Sequence, residues 1–210
     1  MSDAHHAARR IILASESPRR ARLMRTHGYR FDVVPPPISE PAHGMPDVPA
    51  SGQAEALAYF KARSVGAALD TGVIVGADTI VAAGATVLGK PHDRDDARAI
   101  LNTLAGTTHD VVTGVALLDA ATGRRLIQHD TTTVTMHPMT DAQIQIYLDT
   151  DAWRGKAGAY GIQDHGDAFV ARIDGSFTNV VGLPMELLGR MLAEWGIRPT
   201  EPYDAARANA

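Results

Sequence analysis

The stretch that most constrains this chain runs from Gly72 to Ala77, an apolar segment with no polar residue at either alternating position. A strand of this kind hides both faces, which requires helices above and below a sheet. The rest of the chain supplies them. Ile11 to Ala14 reads as another short buried strand, followed by Ser15, Glu16 and Ser17 and by a helix from Pro18 to about His27. Ser17 is the expected N-cap, Pro18 the first helical residue and Gly28 the stop. Phe31 to Val34 is a further strand, and three prolines at 35 to 37 open an irregular loop to about Pro49, long enough to suggest a function.

Ser51 opens a helix to about Leu69, and Ala83 with Gly84 turns the chain into a short strand. Asp93 caps a helix through Leu104, stopped by Gly106. Val111 to Leu118 and Arg125 to Met136 read as strands joined by a turn at Ala121, Thr122 and Gly123, the second alternating weakly enough to leave one face wet. Thr140 caps a helix to about Leu148, and a glycine-rich loop spans 155 to 166. A strand from Phe169 to Ile173, a turn at Asp174 and Gly175 and a helix from Pro184 to Trp195 complete the pattern. Strands and helices alternating around one long hairpin predict an α/β fold on a mixed, twisted central sheet flanked by helices.

A chain of 210 residues is expected to form one domain, residues 1 to 210, and can bury about 70% of its extended surface. Residues 1 to 10 and 201 to 210 read as flexible tails. With 45% hydrophobic and 21% charged residues and no apolar run long enough for a membrane helix, the expectation is a cytoplasmic protein without a membrane partner. A net charge of −4 argues against a nucleic-acid coat, and the absence of cysteine excludes disulfides, thiolate nucleophiles and zinc ribbons.

Of 20 basic residues only Lys61, Lys90 and Lys156 are lysine. A chain that otherwise uses arginine keeps lysine where a compact ammonium is wanted. Lys90 stands between Gly89 and Pro91, and Lys156 between Gly155 and Ala157, where backbone can approach a ligand closely. Ser15 and Ser17 at a strand end, with Arg19 and Arg20 at a helix start, offer hydroxyls, free N–H groups and guanidinium forks to a phosphate. Asp78, read as standing at the end of the buried strand, could hold Mg²⁺ or orient a water, with Lys90 neutralising a phosphoryl oxygen. Arg22 and Arg25 read as a solvated helix face, His109 as a structural hydrogen-bonding residue, Trp153 as packing in preference to base stacking, and Trp195 as core or a dimer contact.

In this order and spacing the segments resemble the Maf family of nucleoside triphosphate pyrophosphatases, over about Ile11 to Gly189. The pieces are Leu13 to Arg20, Glu40, Lys61 with Ala62, Gly76 to Thr79, Gly89 to Pro91, Gly106 to Gly114, Gly155 to Gln163, Gly175 with Ser176, and Val181 to Pro184. The resemblance implies two lobes with a cleft, similar to the inosine triphosphatase fold, and a homodimer. It also implies hydrolysis between the α- and β-phosphates of a nucleoside triphosphate with Mg²⁺ or Mn²⁺, as housecleaning of nucleotide pools. Asp78 would activate water, Glu40, Lys61 and Lys90 would complete the catalytic group, and Asp78 with Glu40 would hold the metal. Ser15, Ser17, Arg19, Arg20 and Lys156 would bind the triphosphate. Arg19, Thr79 and Gln163 match the members that act on dTTP and UTP, a 7-methyl-GTP group carrying Trp, Gln and Glu there, so the base is expected to be a pyrimidine, modified ones included. Glu16 departs from the family's usual Gly, and Trp153 and Arg154 depart before Lys156. The alternatives are a non-catalytic regulator of septum formation that binds nucleotide, and a purine-directed pyrophosphatase.

Overall fold

The computed structural model describes residues 9–38, 47–163 and 167–204. Among these residues seven strands form one mixed sheet: β1 Ile11–Ala14, β2 Asp32–Val33, β3 Val73–Ala83, β4 Thr86–Leu88, β5 Thr108–Asp119, β6 Arg125–Met136 and β7 Val170–Asp174. Their spatial order is β2-β1-β3-β5-β6-β7, with β4 also pairing on β3. The β2-β1-β3 part is parallel, and from β3 to β7 the neighbours are antiparallel. Six α-helices among the described residues surround it: α1 Pro18–Thr26, α2 Ala50–Gly66, α3 Arg94–Leu104, α4 Asp141–Asp149, α5 Phe177–Val181 and α6 Met185–Glu194. No helix among the described residues is long and apolar enough to cross a membrane.

The local chemistry is the expected one at most helix starts. Ser17 accepts from the Arg20 N–H with Pro18 in the first turn, Asp93 accepts from Asp96, and Thr140 and Gln143 form a reciprocal capping box. Three elements depart from expectation. β3 does not end at Ala77 but runs on to Ala83, because its ladder with β5 continues unbroken through Asp78 and Thr79. α2 stops at Gly66 instead of Leu69, and α5, five residues capped by Ser176, is too short to leave a periodic signal. The chain from Glu201 to Asp204 is no frayed tail: the N–H groups of Thr200 and Glu201 donate to the Gly28 carbonyl, and that of Asp204 to the Thr26 carbonyl. Arg10 is likewise fixed, its carbonyl accepting from Val73 and its side chain pairing with Asp32.

The core divides along the long strands. On one face Leu13, Val75 and Leu117 pack against Met24 of α1 and Leu188 and Met191 of α6. Farther along the strands Val81, Val111 and Val134 pack against Leu101 and Leu104 of α3, Leu148 of α4 and Trp153. On the opposite face α2 lies on Ile12, Ile74 and Ala116 through Ala58, Ala62 and Val65. Two glycines bring α2 this close. A Cβ on Gly76 would stand 2.1 Å from the Ala58 carbonyl oxygen, and one on Gly114 2.2 Å from that of Ala54.

Candidate active site

Along one edge of β3, β1 pairs only as far as Gly76 and β4 begins only at Val81. Neither strand covers residues 77 to 80, so the middle of a buried strand opens sideways into a groove. This is how Asp78 and Thr79 reach solvent-facing space without standing at a strand end. One hollow of the groove is lined by Asp78, Thr79, Arg19, Arg20, Lys156 and Gln163, among others, and the adjoining one by Ser15, Glu16, Pro36, Ile38 and Lys61. Ser17 and Lys90 line both, which makes them one continuous groove.

Asp78 points to the α2 face, as its alternation with Ile74, Gly76 and Ile80 requires. There the Lys61 ammonium donates to Asp78 Oδ1 at 2.6 Å, with the two side chains only 6% and 8% exposed. Asp78 Oδ2 has no hydrogen-bond partner among the described residues, and the carboxylate faces the groove. Thr79 points to the other face. Its hydroxyl meets that of Thr113 at 3.0 Å and accepts from the Arg20 guanidinium at 3.1 Å.

Arg20 does more bracing than the phosphate reading gave it. Its Nε donates to the Gly182 carbonyl at 2.7 Å, and its two terminal nitrogens reach Thr79 and, at 3.4 Å, Ser15 Oγ. It thereby ties the end of β1, the middle of β3 and the end of α5 around the groove. Ser15 Oγ also accepts from the Ser17 N–H, which shapes the turn into α1. Lys156 is buried, its ammonium donating to the Ala152 carbonyl while it lines the groove. Lys90 is exposed at the junction of the two hollows. Glu40 lies outside the described residues.

His109 is structural, as expected: 2% exposed, with Nε2 paired to the Tyr160 hydroxyl at 2.8 Å. Burial lowers its pKa to about 4, against a smaller raising effect of Asp110. Burial raises Tyr160, with Tyr147 adding to the rise, so the tyrosine is protonated throughout the physiological range. Trp153 is packing: it is 1% exposed and its indole N–H donates to the Leu148 carbonyl. Trp195 belongs to the core, with the Arg124 guanidinium over its ring.

Two groups escaped the sequence reading. Asn179, fully buried, donates to the Val111 carbonyl and to Thr132 Oγ1, locking α5 to the sheet beneath Gly182. Nothing short of the fold places it there. Arg22 is not on a solvated face; it is half-buried and donates to Gln163 Oε1 at 2.8 Å. The partner stands 141 residues away, and the one available signal was position 22 falling one turn after Arg19 on α1.

The sequence places the chain in a family: the model of the Maf-like proteins matches residues 10–195, and the chain belongs to that family. Among curated proteins it is 43% identical over 187 residues to a dTTP/UTP pyrophosphatase of Carboxydothermus hydrogenoformans, covering 89% of this chain and 99% of that one. A dTTP/UTP pyrophosphatase of Symbiobacterium thermophilum is 44% identical over 187 residues, covering 89% and 94%. A solved nucleoside-triphosphatase, a dITP/XTP pyrophosphatase from Mycobacterium abscessus, is 16% identical with a TM-score of 0.43, covering 89% and 98%.

Proposed function

We propose that this chain hydrolyses the anhydride between the α- and β-phosphates of dTTP, UTP and related modified pyrimidine nucleotides, releasing a nucleoside monophosphate and pyrophosphate. The observation that carries this reading is the buried Lys61–Asp78 pair opening onto a groove that presents Ser17, Arg19, Lys90 and Lys156. Kinship with curated enzymes of that name, at 43% identity over nearly their whole length, supports the substrate class.

The chemistry is charge management. A triphosphate in the groove meets Arg19, Lys90 and Lys156, which spread the charge that develops as the bond breaks. With Oδ1 engaged by Lys61, Asp78 offers Oδ2 as the proton acceptor for a water. The water oxygen bonds to phosphorus as the bridging P–O bond breaks, and pyrophosphate leaves with the bond pair. A divalent ion, Mg²⁺ or Mn²⁺, is part of the proposal, and Asp78 and Glu40 would hold it. A carboxylate with an unpartnered oxygen beside a phosphate groove fits the habit of Mg²⁺, which takes one or two carboxylates together with substrate phosphates. When bound, such an ion neutralises phosphoryl oxygens. A homodimer, implied by the family resemblance, and a cytoplasmic setting, expected from the composition, belong to the same proposal.

The test is pyrophosphate release with Mg²⁺ or Mn²⁺ from dTTP, UTP, CTP, GTP, ITP and 7-methyl-GTP. Fast cleavage of dTTP and UTP, with Asp78→Asn slower by about 10² to 10⁴ and still binding nucleotide, is the expected result. Undiminished turnover in Asp78→Asn would overturn the mechanism, and preference for a purine would overturn the base assignment. Binding without cleavage of any nucleotide would favour the regulator of septum formation.

A further inference from the structure

Gln163 stands between two spaces. One side lines the groove; the other lines a separate cavity of about 600 Å³ whose walls include Arg22, Thr26, His27 and Glu186. Arg22 belongs to that second cavity and not to the groove, so it approaches Gln163 from behind. A guanidinium can only donate, which makes the Gln163 atom at 2.8 Å from it the carbonyl oxygen and not the amide nitrogen. The amide is therefore not free to flip. Its oxygen is committed to Arg22, and Nε2 has no partner among the described residues. A Gln that offered both donor and acceptor would suit uracil and cytosine alike, since rotating the amide exchanges the two. A Gln held as a donor does not: it meets the carbonyl oxygen at position 4 of uracil or thymine and confronts the exocyclic amine that cytosine carries there.

We propose that Arg22 is a specificity-determining positioning residue: by fixing the Gln163 side chain as a hydrogen-bond donor toward the groove, it selects a pyrimidine with a carbonyl at position 4 over one with an amine. This rests on the reading of the groove as a pyrimidine nucleoside triphosphate site. Arg22 touches no substrate, and it sits on α1 one turn from the groove residue Arg19, so the same helix carries a phosphate contact and the brace for the base contact.

The experiment compares kcat/KM for UTP and CTP in the wild type and in Arg22→Met, Arg22→Lys and Gln163→Glu, each checked for folding by circular dichroism and thermal melting. Arg22→Met releases the amide, and the UTP:CTP ratio should fall at least about tenfold, as expected when one well-made hydrogen bond no longer opposes a donor–donor clash. Arg22→Lys retains a donor-only group and should restore most of the ratio. Gln163→Glu presents only acceptors and should shift the preference toward CTP. A merely structural Arg22 would lower both activities together and leave the ratio unmoved; that result, or a ratio lost equally in Arg22→Lys, overturns the role of Arg22. A wild type that cleaves UTP no better than CTP overturns the selection itself. A wild type that cleaves no pyrimidine triphosphate overturns the underlying functional reading and this inference with it. Failure of this inference is thus read from the UTP:CTP ratios of the wild type and the Arg22 variants, and failure of the functional reading from the absence of wild-type turnover.

Discussion

Lys61 and Asp78 carry opposite charges into a place where either alone would cost several kcal/mol to bury, and their 2.6 Å contact makes the pair tolerable. Such a pair is weak evidence of stability and better evidence of use, since an apolar pair of the same volume would serve the core at least as well. His109 shows the opposite economy, a titratable side chain kept neutral. Its ordinary pKa of 6.5 is lowered to about 4 by burial, while Nδ1 has no partner among the described residues. Between those values the unfolded chain binds more protons than the folded one, so stability rises with pH in that interval. The contribution is complete above about 6.5 and is lost as pH falls toward 4, at most about 3 kcal/mol in all. In His109→Gln the acid limb of the melting temperature between pH 6.5 and 4.5 should therefore be shallower than in the wild type. Parallel limbs in thermal scans would refute the assignment. Residues were legible one at a time where their chemistry was rare in this chain: all three lysines line or brace the groove. Arg22 was illegible because arginine is common here and its partner is remote in sequence.

At the scale of elements, the decisive contact is α2 against β3. Ala54, Ala58 and Ala62 present the helix's small side to Gly114 and Gly76, and this close approach puts Lys61 within reach of Asp78. Gly76→Ala places a Cβ 2.1 Å from the Ala58 carbonyl oxygen and 2.9 Å from the Ala62 nitrogen, both backbone atoms that no rotamer change can move. The helix must lift. The expected outcome is a stability loss of about 1–3 kcal/mol and a fall in kcat of roughly tenfold to a hundredfold, because a displacement near 1 Å at a catalytic pair has effects of that order. Steady-state kinetics beside a denaturation curve checks it, and a variant with native kcat would show that the Lys61 geometry is not set by this packing. The sequence announced α2 and most strand centres through periodicity and caps. It misplaced the end of β3, since two polar residues in an apolar run look like a terminus when they are instead the uncovered middle of a strand. Only the register of β1 and β4 along β3, a long-range property, distinguishes the two.

For the whole molecule, the groove lies where two packed cores meet along β3 and β5, and α1 belongs to both jobs: its first turn faces the groove and its apolar side anchors one core. The last described residues hold the far end of that helix. Gly28 leaves it with φ +77°, and a Cβ there would stand 1.9 Å from the Glu201 carbonyl oxygen, so the strap from Thr200 to Asp204 lies directly on the helix stop. Three backbone hydrogen bonds to Gly28 and Thr26, the Arg30–Glu201 pair at 3.0 Å and the edge contact of Tyr203 with His27 fix it. The exposed ion pair adds little, whereas each backbone bond contributes on the order of 1 kcal/mol. Nothing in the composition of this stretch distinguished it from a tail, because its bonds are made by backbone groups that every residue carries. A chain ending at Pro199 should therefore melt several degrees below one ending at Asp204, at about 2–4 °C per kcal/mol for a domain of this size. Both should retain the fold, since no strand or helix is removed. Equal melting temperatures for the two truncations would mean that the strap follows the helix without holding it. A lower temperature for the shorter chain, with a reduced UTP:CTP ratio as well, would trace the brace on the base contact from Arg22 back through α1 to its C-terminal anchor.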